Sequence, residues 1–262
     1  MSRILPADSL VVIDVGNSRI GIGVSEDGTL RGVKRFDADA ADDWRAGLRE
    51  AWKSTDGARS RAIVIASVAP LHDRRVFVAA ADDLGEEPLR IRDDVPFPMP
   101  LKIDNADEIG VDRVCSAAAA WDRVREPCAI ASFGTAITID CVSAEGEFLG
   151  GTILPGIEMS LGALHDRTAQ LPRVELKAPP GPFGKNTHDA IRAGVVFGAV
   201  GALREIVERF ATDLRSWPQL ILTGGNARLV AELTDIADAV VPDLCLMGIA
   251  LSHRSAAGAA RA

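Results

Sequence analysis

The chain has 262 residues, of which 47% are hydrophobic and 25% charged, and its formal net charge is −8. This composition excludes intrinsic disorder, and the length allows one large domain or two of about 100–150 residues. No apolar run reaches the roughly 18–20 residues of a membrane-spanning helix, and the N-terminus has no apolar signal stretch. The acidic balance argues against broad nucleic-acid binding. We therefore expect a cytoplasmic protein with no membrane or nucleic-acid partner.

The first half of the chain begins with three predicted strands joined by turns at Gly16 and Gly28. Ala40–Lys53 follows as an amphipathic helix, because its large apolar residues recur at helical spacing. The pattern then predicts a buried strand, a helix, a short strand, an extended connector and an alanine-rich helix, at residues 61–67, 73–84, 88–91, 94–103 and 110–124.

The second half repeats this plan with three strands, a Gly/Pro loop and a helix. A Pro/Gly-rich loop, a long helix and a buried strand follow at residues 178–184, 188–214 and 219–223. Gly224-Gly225-Asn226 then opens a short helix, and residues 243–257 form the last one. The cysteines Cys115, Cys128, Cys141 and Cys245 lie in apolar surroundings without a Cys-x-x-Cys pair, so we interpret them as buried reduced thiols.

An internal repeat organises the chain. When Val12–Leu30 is aligned with Ile130–Phe148 at a constant offset, Gly16 meets Gly134 and Gly28 meets Gly146. Two hairpins can resemble each other by chance, but glycines matched at two turns favour duplication of a whole domain. We predict an α/β protein with mixed sheets, two related domains at residues 1–124 and 125–262, and a central cleft that binds the ligand.

The turn from Asp14 to Ser18 has the chemistry of a phosphate site. Gly16 allows a phosphate to approach the backbone, Asn17 and Ser18 can donate hydrogen bonds, and Asp14 can hold Mg²⁺. The alternative is an ordinary turn with a solvated aspartate. Because Asp14 ends a buried apolar strand, its charge favours the functional interpretation.

Two glycine turns of the second half offer further contacts. Gly134 and Thr135 present amides and a hydroxyl to the same phosphates, and Gly224-Gly225 leave room for a flat ring such as adenine. A pair of packing glycines is the alternative for the second turn.

Gly110-Val111-Asp112-Arg113 opens the alanine-rich helix. Its aspartate could accept a proton from a substrate hydroxyl, with Arg113 countering phosphate charge. The alternative is structural, since an aspartate at a helix N-terminus caps backbone amides.

Seven short motifs extend over nearly the whole chain. They are Asp14-x-Gly16-Asn17-Ser18, Ala66-Ser67-Val68, Gly110-x-Asp112-Arg113, Gly134-Thr135-Ala136 with Thr138-x-Asp140, Gly150-Gly151 before Pro155-Gly156, Leu171-Pro172 and Asn186-Thr187. As an ordered set they resemble the type III pantothenate kinases. The resemblance implies the actin-like/Hsp70/sugar-kinase ATPase fold, built of two ribonuclease-H-like domains. It also implies a homodimer with pantothenate near the subunit interface. The implied reaction is ATP-dependent phosphorylation of pantothenate to 4′-phosphopantothenate, the first step of coenzyme A synthesis.

The resemblance also implies roles for individual residues. Asp112 would be the general base on the pantothenate hydroxyl, and Asp14 would bind Mg²⁺. The pantothenate contacts would be Gly110, Val111, Asp112, Arg113 and Thr187; the contacts to ATP and its phosphates would be Asp14, Gly16, Asn17, Ser18, Gly134, Thr135, Gly224 and Gly225.

The chain departs from the family pattern at three positions. Ser132 stands where the family usually has an aspartate that helps bind an activating monovalent cation, so we expect weak or absent activation by K⁺ or NH₄⁺. Ile103 and Ala106 stand where a tyrosine and then a proline are common, which changes one pantothenate contact. Two alternatives follow: a catalytically altered or inactive homologue with a regulatory or accessory role, or a kinase for another small hydroxyl compound.

Overall fold

A computed structural model of the chain describes residues 4–259. Chain contacts divide it into two compact units, the first comprising residues up to Asp122 together with those from Asp243 onwards, and the second Arg123–Pro242. The elements in chain order are β1 (Ser9–Val15), β2 (Arg19–Glu26), β3 (Thr29–Asp37), α1 (Ala41–Lys53), β4 (Arg61–Ser67), α2 (Pro70–Leu84), β5 (Leu89–Arg90), α3 (Val111–Val124), β6 (Cys128–Phe133), β7 (Ala136–Val142), β8 (Phe148–Pro155), α4 (Ile157–Asp166), α5 (Thr187–Leu214), β9 (Gln219–Thr223), α6 (Ala227–Ala231), β10 (Ala239–Val240) and α7 (Leu244–Ala259).

Each unit contains a five-stranded mixed sheet, and the two sheets have the same topology. The strand order is β3-β2-β1-β4-β5 in the first and β8-β7-β6-β9-β10 in the second. In both, the first three strands form an antiparallel meander and the last two run parallel to the first strand. The predicted α/β class with mixed sheets is therefore confirmed, and the equal strand orders are what a domain duplication produces.

β1 is apolar on both faces because helices cover both sides of its sheet. Val11 and Ile13 pack in a cluster with residues of α1 and α2. Val12 points to the other face and packs with Cys115 of α3 and Ile249 of α7. A strand covered on both faces needs a continuous apolar run, which is the pattern of this segment.

The last helix belongs to the first unit, which differs from the predicted boundaries 1–124 and 125–262. Leu246 and Ile249 of α7 are buried in the cluster that contains Val12 and Val64. Gly248 lets this helix approach closely, since a side chain there would collide with the backbone of Cys115. The sequence predicts an apolar helix here, but its pattern does not specify which sheet the helix covers.

The second unit has its main core on one face of its sheet. Phe133 of β6 and Leu220 of β9 are buried there with Leu161 of α4 and with Val196 and Leu203 of α5. The cysteines are unpaired; three are buried and Cys245 is half-buried, as expected of reduced thiols.

Among residues 4–259, no helix is both long and apolar enough to cross a bilayer.

Candidate active site

The turn between β1 and β2 carries the first group of predicted phosphate ligands. Asp14 lies next to the last residue of β1, between Gly21 of β2 and Ala66 of β4. The Gly16 N–H donates to the Arg19 carbonyl at 3.0 Å and closes the turn, and the side chains of Asn17 and Ser18 are exposed. A carboxylate therefore stands beside an open polar turn, as phosphate and metal binding require.

Asp14 is held in an environment that disfavours its charge. Burial, reinforced by the nearby Asp112 carboxylate, raises the pKa of Asp14 to about 7. The Cys245 thiol, which hydrogen-bonds to Asp14, and the Arg35 guanidinium oppose this rise in pKa. The structure thus brings together the predicted Mg²⁺ ligand and the predicted general base.

Asp112 is the second residue of α3, and its carboxylate folds back onto the start of the helix. It accepts hydrogen bonds from its own N–H and that of Arg113, which lower its pKa, but burial dominates and raises the pKa of Asp112 above the ordinary value. A Cβ at Gly110 would lie 2.6 Å from Asp112 Oδ1, so the glycine is needed for this conformation. The carboxylate caps the helix, as the structural alternative expects, yet burial still leaves it poised to accept a proton.

A cavity of about 390 Å³ opens at the start of α3. Gly110 and Val111, two of the predicted substrate contacts, form part of its wall. The remaining lining residues are Ile65, Ser67, Val68, Pro70, Asp73, Arg90, Ile91, Arg92, Asp93, Glu108 and Ile109. The sequence patterns above give no role to Arg90 and Arg92; the signal that could have identified them is an Arg-x-Arg pair that begins at the last residue of a short parallel strand.

Three glycine turns meet in the second unit. The Gly156 N–H donates to the Thr135 carbonyl at 3.1 Å, and a side chain at Gly156 would collide with the Gly134–Thr135 backbone. Gly224 has a φ of +92°, and a Cβ there would lie 2.6 Å from the Phe133 carbonyl oxygen. Gly134, Thr135, Gly224 and Gly225 are exposed. The predicted ATP ligands of this unit therefore present open backbone on two adjoining turns.

Ser132 is the second-to-last residue of β6, just before the turn at Gly134. It pairs with Thr138 of β7 and with Thr223 of β9. Directly paired residues share a face of the sheet, so three hydroxyl groups stand side by side there. The side chains paired with Ser132 supply neutral oxygens and no carboxylate.

Thr187 is the remaining predicted substrate ligand. It is the exposed first residue of α5, where Asn186 caps the helix by accepting from the Asp189 N–H at 2.9 Å. Its assignment as a substrate ligand remains a prediction.

The described residues contain no cluster of three or more His, Cys, Asp or Glu side chains that could enclose a metal ion. Asp14 beside an open turn still suits Mg²⁺, which commonly binds one or two carboxylates and otherwise takes water and substrate phosphate oxygens.

Comparison with known proteins gives a consistent result. A family model described as type III pantothenate kinase matches residues 10–209. The type III pantothenate kinase of Anaeromyxobacter sp. (strain K) is 36% identical over 249 residues, covering 93% of this chain and 98% of the relative. That of Moorella thermoacetica is 34% identical over the same shares.

Two solved structures share the fold. The putative Baf family transcriptional activator from Campylobacter jejuni has a TM-score of 0.60 at 20% identity, covering 92% of this chain and 95% of its own. The ethanolamine utilization protein EutJ from Carboxydothermus hydrogenoformans has a TM-score of 0.51 at 16% identity, with coverages of 96% and 92%. At these identities the likeness concerns the fold alone.

Proposed function

We propose roles for individual residues on the premise that the chain belongs to the type III pantothenate kinase family, as the match over residues 10–209 and the 34–36% identity over 93% of the chain show. It is an enzyme that phosphorylates pantothenate with ATP, the first step of coenzyme A biosynthesis. Membership of this family implies that the enzyme uses ATP together with a divalent metal ion. What the premise leaves open is which side chains perform each step.

Asp112 is the general base in this proposal. Its position carries the assignment: the half-buried carboxylate directly follows two residues that line the cavity and lies close enough to Asp14 to raise the pKa of that residue. In that position it accepts the proton of the pantothenate hydroxyl while the oxygen attacks the terminal phosphorus of ATP. The bond from that phosphorus to the bridging oxygen breaks, and ADP leaves. Gly110, Val111 and Arg113 would hold pantothenate beside it, and Thr187 would add a contact. A base of this kind typically contributes about 10²–10⁴ in rate.

For nucleotide binding, we assign separate roles to the turns of each unit. Asp14 would bind Mg²⁺ directly or through water, and the metal when bound neutralises phosphate charge. Gly16, Asn17 and Ser18 supply donors to the phosphates. In the second unit the exposed turns at Gly134, Thr135, Gly224 and Gly225 would contact phosphate and adenine.

The direct test is ADP release from Mg·ATP, measured with and without pantothenate. We expect release that depends on pantothenate and saturates with it. No turnover in a folded protein that still binds ATP would contradict the assignment of pantothenate as the acceptor. Turnover with another small hydroxyl compound in its place would identify the changed substrate.

The neutral side chain of Ser132 and the two neutral side chains paired with it lead to a prediction about monovalent cations. Since the side chains of Ser132, Thr138 and Thr223 carry no charge, we expect K⁺ or NH₄⁺ to change kcat by less than about twofold at constant ionic strength. The Ser132→Asp variant should gain activation by K⁺, because it restores a carboxylate beside two hydroxyls. Strong, saturable activation of the unmodified enzyme by K⁺ would show that the cation binds without this carboxylate.

The enzyme is proposed to be a homodimer, and one face of the second unit fits that role. A groove of about 650 Å³ between α4 and α5 has an apolar lining that includes Leu154, Ile157 and Met159, the last 48% exposed. Gly194 and Gly198 lie one turn apart on α5, and a side chain at either would meet nothing within 4 Å. A glycine inside a helix lowers stability by about 0.5–1 kcal/mol relative to alanine, so two of them on one face need a compensating contact. Close packing of a second copy of the chain against Gly194 and Gly198 would supply that contact.

Replacing Gly198 tests this interface. We expect Gly198→Glu to give a folded monomer, because it places a charge in the apolar groove. The smaller Gly198→Ala change is the matched control and should remain dimeric. Light scattering after size exclusion measures both masses. A Gly198→Glu variant with the same mass as the unmodified protein would place the interface elsewhere.

A further inference from the structure

Among residues 4–259, the lining of the cavity beside α3 includes one arginine, Arg92, that forms no ion pair with a carboxylate. Two of its lining residues, Arg90 and Arg92, carry positive charge. Arg90 is paired with Asp73, with Nη2 to Oδ2 at 2.9 Å, and its guanidinium stacks on Phe77 at 4.0 Å. Across residues 4–259, the donors of Arg92 reach only backbone carbonyls, those of Asp107 and Ile109. The second arginine thus keeps its charge available to a ligand.

The hydrogen bonds of Arg92 leave part of its guanidinium unused. Nη1 donates to the Asp107 carbonyl at 2.6 Å and Nη2 donates to that of Ile109. Nε is buried without an acceptor. An arginine has five N–H donors, so three remain, and a buried donor without an acceptor is unfavourable. Such a group suits an anionic ligand with more than one acceptor oxygen.

Arg92 has an uncommon backbone conformation. Its φ of +83° lies in the left-handed region, which disfavours residues other than glycine. A hydrogen bond from its N–H to the Val95 carbonyl at 2.7 Å and the bridge between Ile91 and Val95 hold this conformation. Strained backbone that the surrounding structure maintains is concentrated at functional sites.

We propose that Arg92 binds the carboxylate of pantothenate and thereby selects the acid among compounds that share its hydroxyl end. This inference rests on the proposed function of the cavity as the pantothenate site. Pantothenate has the hydroxyl that is phosphorylated at one end and a carboxylate at the other. With Asp112 serving the hydroxyl, the carboxylate needs a cation in the same cavity, and Arg92 is the lining cation that is not already paired.

A comparison of two substrates tests this role. Panthenol, the alcohol analogue, differs from pantothenate by replacing the carboxylate with a neutral hydroxyl group. For Arg92→Gln we expect kcat/KM for pantothenate to fall about 10- to 100-fold, the effect of losing one charge-assisted hydrogen-bond pair. The kcat/KM for panthenol should change less than about threefold. The unmodified enzyme should prefer pantothenate by a similar 10- to 100-fold factor.

Arg90→Gln is the matched control, because Arg90 lines the same cavity but is already neutralised by Asp73. It should leave the ratio of kcat/KM for the two substrates unchanged, whatever its effect on each. If Arg92 only fixes the loop before α3 through the carbonyls of Asp107 and Ile109, Arg92→Gln will lower both substrates equally. That result would overturn the proposal. Failure of the pantothenate assignment itself is distinguished by absent turnover in the unmodified enzyme.

Discussion

Replacing Asp112 with asparagine should lower kcat by roughly 10²-fold or more and leave the fold intact. Asparagine keeps the size of the side chain and an oxygen that can accept from the Arg113 N–H, so the start of α3 should be preserved. It cannot accept the proton of the attacking hydroxyl. The loss should appear in kcat measured at saturating pantothenate and Mg·ATP, with little change in the affinity for ATP.

The pH dependence gives this prediction a second readout. Because burial raises the pKa of Asp112 in the free enzyme, the base is protonated at a higher pH than an ordinary aspartate. We therefore expect kcat/KM for pantothenate to fall as the pH decreases through that raised pKa. This acidic limb should be absent from the residual activity of Asp112→Asn. An unchanged limb in the variant would assign the titration to another group.

The control for Asp112→Asn is Asp43→Asn, which makes the same chemical change on the exposed surface of α1. It should retain activity within about threefold, since surface substitutions away from a site have small effects. Circular dichroism and thermal unfolding should be close to those of the unmodified protein for both variants. Near-normal turnover of Asp112→Asn would remove Asp112 from the mechanism.

Much of the fold could be predicted because it depends on local patterns that occur twice. The apolar runs that form β1 and β6, and the glycines after them, specify equivalent strands and turns. The bounds of β4 and β9 agree with the predicted 61–67 and 219–223 because both are continuous apolar runs. The predicted helix at 73–84 in fact begins at Pro70, since proline is favourable in the first turn of a helix. The two-residue strand β10 was not predicted, because it is too short to show a period.

The site was predictable where glycine and aspartate are close in sequence, and less so where tertiary packing creates the chemistry. Gly110 and Asp112 are such a local pair, since the glycine makes room for the carboxylate. The hydrogen bond from Cys245 to Asp14 joins residues at opposite ends of the chain through the packing of α7 on the first sheet. No spacing in the sequence indicates this contact. The free charge of Arg92 is likewise visible only when Asp73 is seen to pair with Arg90 instead.

Asp14→Asn should stabilise the free protein while it impairs the enzyme. The pKa of Asp14 is raised from 3.8 to about 7 in the folded protein by burial and by Asp112. Above pH 7 the carboxylate is ionised in both the folded and the unfolded chain, and the folded state then carries the penalty of a buried charge. A difference of this size corresponds to about 4 kcal/mol of lost stability. Asparagine has no charge to bury and avoids the penalty.

The sign of the pH dependence follows directly. Below pH 3.8 the carboxyl group is protonated in both states, so the free energies of unfolding of the two proteins should nearly agree. As the pH rises to 7, the unmodified protein should lose stability relative to the variant. Denaturant unfolding in EDTA, without nucleotide, measures this difference at several pH values. Asp43→Asn, on the exposed surface of α1, is the control and should stay within about 0.5 kcal/mol of the unmodified protein at every pH.

Mg·ATP should reverse the order of stability if Asp14 serves the metal and phosphates. A ligand that binds only the folded state stabilises it by an amount that grows with its concentration relative to Kd. The unmodified protein should therefore gain more from Mg·ATP than Asp14→Asn does, and the variant should show a raised KM for Mg·ATP or a lowered kcat. A variant that is more stable and fully active would show that Asp14 is an ordinary buried turn residue. Increased stability with impaired catalysis would show that this strand end retains a buried charge because the phosphoryl transfer needs it.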